Sequence, residues 1–197
     1  MYIDADVIPV HSIAEAYLYL MILRCRNCGK GPLKQRGDLT RTAAAPGGWL
    51  LTAACSTCAA EHALHFSIEP MPTREQAASD RINPTSERSG AIDLLGWLSL
   101  FQTILTESQK SRDKETARQL AYEAAQCLDE ALKFYQGDRD LPEDSAFFTE
   151  ESLRRFHDHP PYFSRSKWRE RRLKLPDIST HTQALHKPRR RWWQFWR

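Results

Sequence analysis

The chain has 197 residues, of which 41% are hydrophobic, and it carries a formal net charge of +3 and five cysteines. This length can hold one ordinary domain or two small ones. The odd cysteine count argues against a secreted disulfide framework, and the longest apolar stretch, 16–23, is too short to span a bilayer core of about 30 Å. Because residues 1–6 are also acidic, unlike the start of a signal peptide, we expect a cytoplasmic protein.

The small net charge conceals an asymmetry between the two parts of the chain. Residues 154–197 contain 13 Lys/Arg and 3 Asp/Glu, a net charge of +10, whereas residues 1–153 have a net charge of −7. Charge asymmetry of this kind is typical of an interaction tail attached to a folded body.

Composition divides the chain into four predicted regions. We expect a zinc-ribbon module at 1–70, a linker at 71–88 and a helical hairpin with a short third helix at 89–160. Residues 161–197 are predicted to form a basic helix and a Trp/Arg-rich tail.

Regular structure in the first region begins at a capping box. In Ser12-Ile13-Ala14-Glu15 the serine oxygen can accept the third free N–H of a helix, and the glutamate can reach back to the serine N–H. The pattern predicts a helix over 13–23, although the tyrosines and isoleucine in its second half also suit a strand. Strands are predicted over 32–36, 49–54 and 62–68, and we expect them to form a small antiparallel sheet.

Two longer helices are predicted in the third region. Apolar residues at three- and four-residue intervals indicate an amphipathic helix over about residues 90–108. A second helix follows, with Ser111 as its expected N-cap, Glu115 in its first turn and Gly137 at its expected left-handed C-cap. The short connection predicts an antiparallel hairpin. It is reminiscent of a tetratricopeptide unit, but the chain contains no second copy of about 34 residues.

Two short helices are predicted after the hairpin. Thr149, followed by Glu150 and Glu151, marks the start of the first, and Pro160-Pro161 marks its end. A basic helix is expected near Ser164–Lys174.

Four cysteines form two C-x-x-C pairs. The pairs are Cys25 with Cys28 and Cys55 with Cys58. Two tight turns that face each other supply the four sulfurs of a tetrahedral site, so we predict one structural zinc ion per chain. All four ligands are thiolates, and no coordination position is left open for catalysis. A rubredoxin-type iron site has the same ligands, and free thiols or a redox pair are the remaining alternatives.

The surroundings of these pairs resemble a group of bacterial zinc-ribbon proteins of unknown function. The likeness covers roughly residues 8–70 and is carried by the helix at 12–21, the C-x-x-C-Gly run at 25–29 and a strand leading into the second pair. The second pair departs from the pattern, because Ala59 stands where glycine is frequent. The resemblance implies a fold and no activity.

Several other side chains invite a chemical role. Cys127 lies on the apolar side of the second long helix and is expected to be a buried, inert thiol. His62 and His65 can donate to the metal thiolates or serve as ligands, but four cysteines already complete the shell, so we expect them at the surface or beside the ligands. His157-Asp158-His159 has the composition of a metal site, but we expect it to be a loop turning out of a helix. The sequence contains no phosphate-binding loop, H-E-x-x-H or G-x-S-x-G motif. We therefore expect no enzymatic activity and identify no small-molecule substrate.

The last twelve residues, 186–197, combine five cationic and four aromatic side chains with no acidic one. Tryptophan prefers the membrane–water interface, and cations are attracted to anionic headgroups. The same composition suits nucleic acid, docking into a protein groove, or a disordered tail of chance composition. We interpret the segment as a disordered anchor for an anionic membrane surface, formed by Lys187, Arg189, Arg190, Arg191, Trp192, Trp193, Phe195, Trp196 and Arg197.

The sequence therefore predicts an α+β protein with a structural zinc site. We expect a non-enzymatic interaction or adaptor protein that binds an unidentified protein partner, held peripherally at the inner membrane surface by its tail. The alternative is a nucleic-acid-associated zinc-ribbon protein that uses the tail together with Arg165, Lys167, Arg169, Arg171 and Arg172.

Overall fold

The computed structural model describes residues 2–42, 48–68 and 81–176. They belong to two compact units that divide between Ala91 and Ile92. The first unit is a sheet with one helix and the second is helical, which confirms the predicted α+β class. Over these residues, none of the helices combines the length and apolarity that a membrane span requires.

The first unit is built on a five-stranded sheet. The elements are β1 (Tyr2–Val10), α1 (Ile13–Ile22), β2 (Leu33–Gln35), β3 (Thr40–Arg41), β4 (Gly48–Cys55) and β5 (Glu61–Ile68). The three predicted strands are confirmed as β2, β4 and β5, with small shifts at their ends. The strand order is β1-β5-β4-β2, and β3 pairs with the same edge of β4 as β2 does.

The N-terminal strand was not predicted from the sequence. β1 runs parallel to β5, with Ile8 opposite Phe66 and Val10 opposite Ile68. The sheet is therefore mixed, and the expectation of a purely antiparallel sheet is wrong. The other strand pairs are antiparallel, as predicted.

Helix α1 begins at the predicted cap, but only half of the capping box forms. The Ser12 hydroxyl accepts a hydrogen bond from the Glu15 N–H at 3.0 Å. The Glu15 carboxylate accepts instead from the His11 N–H at 2.6 Å, one residue before the cap. The Ser12 contact satisfies one of the N–H groups that a helix start leaves without intrahelical partners. The helix ends at Ile22, with Leu23 as its C-cap, and leads into Cys25.

The apolar side of α1 covers one face of the sheet. Ala16 and Leu20 are buried against a cluster that includes Leu51, Leu64 and Phe66 from the two central strands. Tyr19 adds an edge-to-face contact with Phe66, with ring centroids 6.1 Å apart. This core holds the end of α1, and hence the first cysteine pair, beside the end of β4.

Residues 81–91 also belong to the first unit. Ile82 and Asn83 are buried there, and the Ser12 hydroxyl donates to the Ile82 carbonyl. Of the predicted linker at 71–88, residues 71–80 lie outside the described residues. The predicted region boundaries stay predictions.

The second unit contains the predicted hairpin and two further helices. The Asp93 side chain caps the first helix by accepting from the Gly96 N–H at 2.8 Å. The helix begins at Leu94 rather than near residue 90, because Asp93 supplies the oxygen that a helix start needs. The helices are α2 (Leu94–Lys110), α3 (Lys114–Leu132), α4 (Glu150–Asp158) and α5 (Arg165–Leu173).

Two predicted caps of the second hairpin helix are wrong. Asp113, not Ser111, caps α3, and its carboxylate accepts from the Thr116 N–H at 2.7 Å. Ser111 instead ends α2, where its N–H donates to the carbonyls of that helix. Gly137 does have a positive φ of 52°, but α3 ends at Leu132, so the glycine serves a separate turn. The predicted cap of α4, Thr149, is confirmed.

An aromatic cluster holds α4 and α5 on the hairpin. Phe147 stacks on Phe156 at 4.8 Å, and Phe163 meets both rings edge-on. Trp168 of α5 is 1% exposed and contacts Phe101 of α2 edge-on at 5.9 Å. Aromatic rings of this size bury much apolar surface and prefer these geometries. The predicted basic helix therefore exists and is anchored by its single tryptophan.

Candidate metal centre

Each C-x-x-C pair forms a knuckle, by which we mean the turn from the first cysteine to the fifth residue after it. In the first knuckle the Gly29 N–H donates to the Cys25 carbonyl at 2.8 Å, and the Cys25 N–H donates to Lys30. In the second, the Ala59 N–H donates to the Cys55 carbonyl at 3.0 Å, and the Cys55 N–H donates to the Ala60 carbonyl. The two knuckles have the same backbone hydrogen-bonding pattern.

The sheet holds the two knuckles against each other. Cys55 ends β4 and lies opposite Leu33 of β2, the strand that follows the first knuckle. The Ser56 N–H also donates to the Pro32 carbonyl at 3.1 Å. A Cβ added at Gly31 would lie 2.9 Å from the Leu23 carbonyl oxygen, so the chain between helix and strand needs a glycine here.

The four sulfurs converge on one point. Cys25 Sγ lies 3.6 Å from Cys58 Sγ, and Cys28 Sγ lies 3.6 Å from Cys55 Sγ. All four sulfurs lie within 4.8 Å of one another. A tetrahedron with metal–sulfur bonds of about 2.3 Å has edges of about 3.8 Å. The group thus has the size that a tetrahedral thiolate site requires, whereas a disulfide needs sulfurs about 2.05 Å apart.

Backbone strain distinguishes the two knuckles. Gly29 and Ala59 occupy equivalent positions and both adopt left-handed conformations, with φ of 68° and 57°. Glycine adopts this conformation without steric cost, but alanine does not. Ala59 is the only non-glycine residue with positive φ among residues 2–42, 48–68 and 81–176. The alanine that stands where glycine is frequent therefore places backbone strain in the second knuckle.

Three nitrogen atoms lie within hydrogen-bonding distance of the sulfurs. His62 Nε2 lies 3.3 Å from Cys25 Sγ, and the imidazole is almost fully buried. The Asn27 amide donates to Cys58 Sγ at 3.7 Å, and the Thr57 N–H donates to Cys55 Sγ at 3.3 Å. Donors to thiolates stabilise their negative charge and orient metal ligands. The predicted position of His62 beside the ligands fits this contact. The contact of Asn27 was not predicted, although the residue lies between Cys25 and Cys28 in the sequence.

The hydrogen bonds shift the acidities of the thiols in opposite directions. The Cys58 N–H, aided by the Thr57 N–H, lowers the pKa of Cys55 to about 6 despite its burial. The N–H of Ala60 likewise lowers the pKa of Cys58. The Lys30 N–H lowers the pKa of Cys28, but burial and the neighbouring sulfurs outweigh it and raise that pKa to about 12. One knuckle thus supplies thiolates readily, and a metal must displace a proton from the other.

Two other candidate residues, Cys127 and His157, belong to the second unit. Cys127 is fully buried, and burial together with the nearby Glu123 and Glu130 raises the pKa of its thiol well above the usual range. A protonated, buried thiol is inert, which agrees with its expected role. His157 is exposed and lies 3.2 Å from the Asp144 carboxylate. The tail residues 187–197 lie outside the described residues.

Comparison with known proteins adds no further assignment. No protein-family model, curated protein or solved structure matches the chain. The four-cysteine group that carries the resemblance to zinc-ribbon proteins is present, and it is positioned to hold a metal ion.

Proposed function

We propose that the four cysteines hold one structural zinc ion and that the protein is a non-enzymatic adaptor. The observation that carries the first part is the closed set of four sulfurs within 4.8 Å of one another. Four thiolates complete the tetrahedral shell of zinc and leave no position for a water or substrate, which is the arrangement of structural rather than catalytic sites.

The size of the first unit gives the metal its role. The unit has a small apolar core under one helix, and its two knuckles bring four sulfurs together beside that core. Small units bury a low fraction of their surface and are marginal without a staple. Structural zinc contributes about 10–16 kcal/mol of apparent binding free energy in zinc-finger peptides.

Elemental analysis of the purified full chain tests this assignment. We expect close to one zinc per chain and no iron. Cys55→Ser should lose the metal and unfold the first unit, which far-ultraviolet circular dichroism would show as lost strand signal. A Cys127→Ser variant is the matched control, because it also removes one thiol but lies outside the site. A Cys55→Ser protein with full zinc content and unchanged fold would refute the ligand set.

The adaptor role is supported by the character of the second unit. Its helices are fixed by aromatic packing and by a bidentate contact of Arg172 with Asp129 at 2.7 and 3.0 Å. The helical unit presents surfaces for a partner but supplies no group that we assign to catalysis. The cysteines also support a cytoplasmic location. A reducing compartment keeps their thiols from forming disulfides and so leaves them able to bind a metal.

The tail supplies the proposed tether to an anionic membrane surface. Vesicle binding by the full chain should rise with anionic lipid and fall with salt, and a part carried by the tryptophans should persist at high salt. Truncation after Ala184 should abolish both parts. Equal vesicle binding by the truncated and full chains would exclude the tether and leave a protein-docking motif.

The nucleic-acid alternative has less support. It depends on the cations of α5, and several of these make contacts within the second unit. Arg172 pairs with Asp129, the Arg165 guanidinium donates to the Gly137 carbonyl, and the Arg171 guanidinium lies 5.7 Å from the Phe101 ring centroid.

A further inference from the structure

A groove opens on the second unit between α2, α4 and α5. Its volume is about 750 Å³, which lies within the range of about 300–1,000 Å³ typical of binding pockets. The groove belongs entirely to the helical unit and is separate from the metal centre.

The apolar part of the groove is fixed in place. It is formed by Leu95 of α2 and by Tyr162, both half-buried, and the polar Ser99 and Gln102 lie beside them. The Gln102 amide donates to the Tyr162 hydroxyl at 2.9 Å, and the Trp168 indole N–H donates to the Tyr162 carbonyl at 2.8 Å. Because the tyrosine is held at both ends, the apolar part needs little reordering when a side chain packs on it.

The rim of the groove is cationic. Arg155 and Lys167 line it, with Asp158 as the opposing charge. Lys167 Nζ lies 5.3 Å from the Tyr162 ring centroid. Within residues 81–176, neither Arg155 nor Lys167 forms an ion pair with a carboxylate.

Two other cations near the groove are paired within the unit. Arg172 is paired with Asp129, and Lys174, just after α5, lies 2.6 Å from Glu170. Arg155 and Lys167 are therefore the cations that the groove itself offers to an external carboxylate, whereas Arg169 is exposed but does not line it. Apolar contact area with charged groups at its edge is the usual anatomy of a protein-binding surface.

We propose that this groove docks a short acidic segment of a partner protein. An aromatic or aliphatic side chain of the segment packs on Leu95 and Tyr162, and flanking carboxylates pair with Arg155 and Lys167. This inference rests on the proposed adaptor role and names the chemistry of its partner. The chain's own tail is cationic, so the rim repels it.

A peptide array tests the groove directly. The probes are labelled hexapeptides of Asp and Glu with one Phe, Trp or Leu at each position, and a matched set has Asn and Gln in place of the acids. We expect the full chain to bind members of the acidic set and to bind their neutral counterparts at least about tenfold more weakly, as the loss of a charged hydrogen bond implies.

Charge reversal at one residue, with a matched control on the same helix, locates the binding site. Lys167→Glu should weaken peptide binding about tenfold or more. Arg169→Glu makes the same change in net charge, is exposed and does not line the groove, so it should have little effect. Arg155→Glu, on α4, should repeat the loss. Circular dichroism of each variant verifies that the fold is retained.

Three results would overturn the groove assignment. They are equal binding of acidic and neutral peptides, equal effects of Lys167→Glu and Arg169→Glu, and displacement of bound acidic peptide by a single-stranded oligonucleotide at lower concentration than by unlabelled peptide. If Lys167→Glu still binds a protein partner that purifies with the wild-type chain, the adaptor role stands and the groove assignment fails. If acidic peptides bind but the purified chain has no protein partner, the groove stands and the adaptor role fails.

Discussion

The equivalent positions Gly29 and Ala59 allow a paired test of strain in the knuckles. Replacement of Ala59 by glycine should stabilise the first unit, since φ at this position is 57°. Replacement of Gly29 by alanine should destabilise it, and a Cβ there would meet no other atom within 4 Å. The conformation alone, and no clash, therefore accounts for the expected loss.

The magnitude follows from two opposing terms. A left-handed conformation costs an L-residue about 1–2 kcal/mol. Glycine also has more conformational entropy in the unfolded chain, which lowers the stability of the folded state by about 0.4–1 kcal/mol and so offsets part of the relieved strain. We expect a net change of about 0.5–1 kcal/mol in the free energy of unfolding, or about two- to fivefold in the equilibrium constant.

Amide hydrogen exchange of β4 and β5 in the zinc-loaded protein measures this change in the first unit alone. Exchange should slow about two- to fivefold in Ala59→Gly and accelerate similarly in Gly29→Ala, and the double variant should resemble the wild type. Unchanged or faster exchange in Ala59→Gly would refute the assignment of strain to this turn.

Three further predictions concern the thiols. Because the pKa of Cys28 is raised to about 12 and that of Cys55 is lowered to about 6, zinc uptake at pH 7 must displace the Cys28 proton. Apparent zinc affinity should therefore rise at least about tenfold per pH unit between pH 7 and 8.5, and a pH indicator should report proton release; a pH-independent affinity contradicts this. His62→Ala should weaken zinc binding about 10–100-fold in chelator competition. His62→Gln keeps a donor and should recover most of this loss, whereas His65→Ala, on the other face of β5, should leave zinc binding unchanged. Cys127→Ala should cost about 1 kcal/mol in denaturant unfolding with zinc content unchanged, and loss of metal would show a missed role.

Local signals predicted most of the helical structure. Helices α2 and α3 were predicted from their stripes of apolar residues, and α4 from its Thr149 cap. Each of these signals depends only on residues within one or two helical turns, so it can be read directly from the sequence. The errors at Ser111 and Gly137 are of one kind, because each is a plausible cap whose role another residue fills. Asp113 lies two residues later and carries the stronger acceptor, a carboxylate near the positive end of the helix dipole.

Long-range pairing was the part that the sequence did not reveal. β1 pairs with a strand about 60 residues away, and its acidic start gave no alternation to mark it. The convergence of the four cysteines was predictable because C-x-x-C spacing restricts the chemistry strongly. The His62 contact needed the sheet, since only the pairing of β4 with β5 brings that ring beside Cys25.

The parallel pairing of β1 with β5 also sets the order in which the first unit is completed during synthesis. Of the five described strands of this sheet, β1 is synthesised before the others, and it cannot pair until β5 has been synthesised. The hairpin of β4 and β5 needs only local closure, whereas addition of β1 closes a loop of about 50 residues, which is entropically slower. A nascent chain that stops before residue 61 therefore exposes an unpaired strand, the kind of segment that associates with other chains.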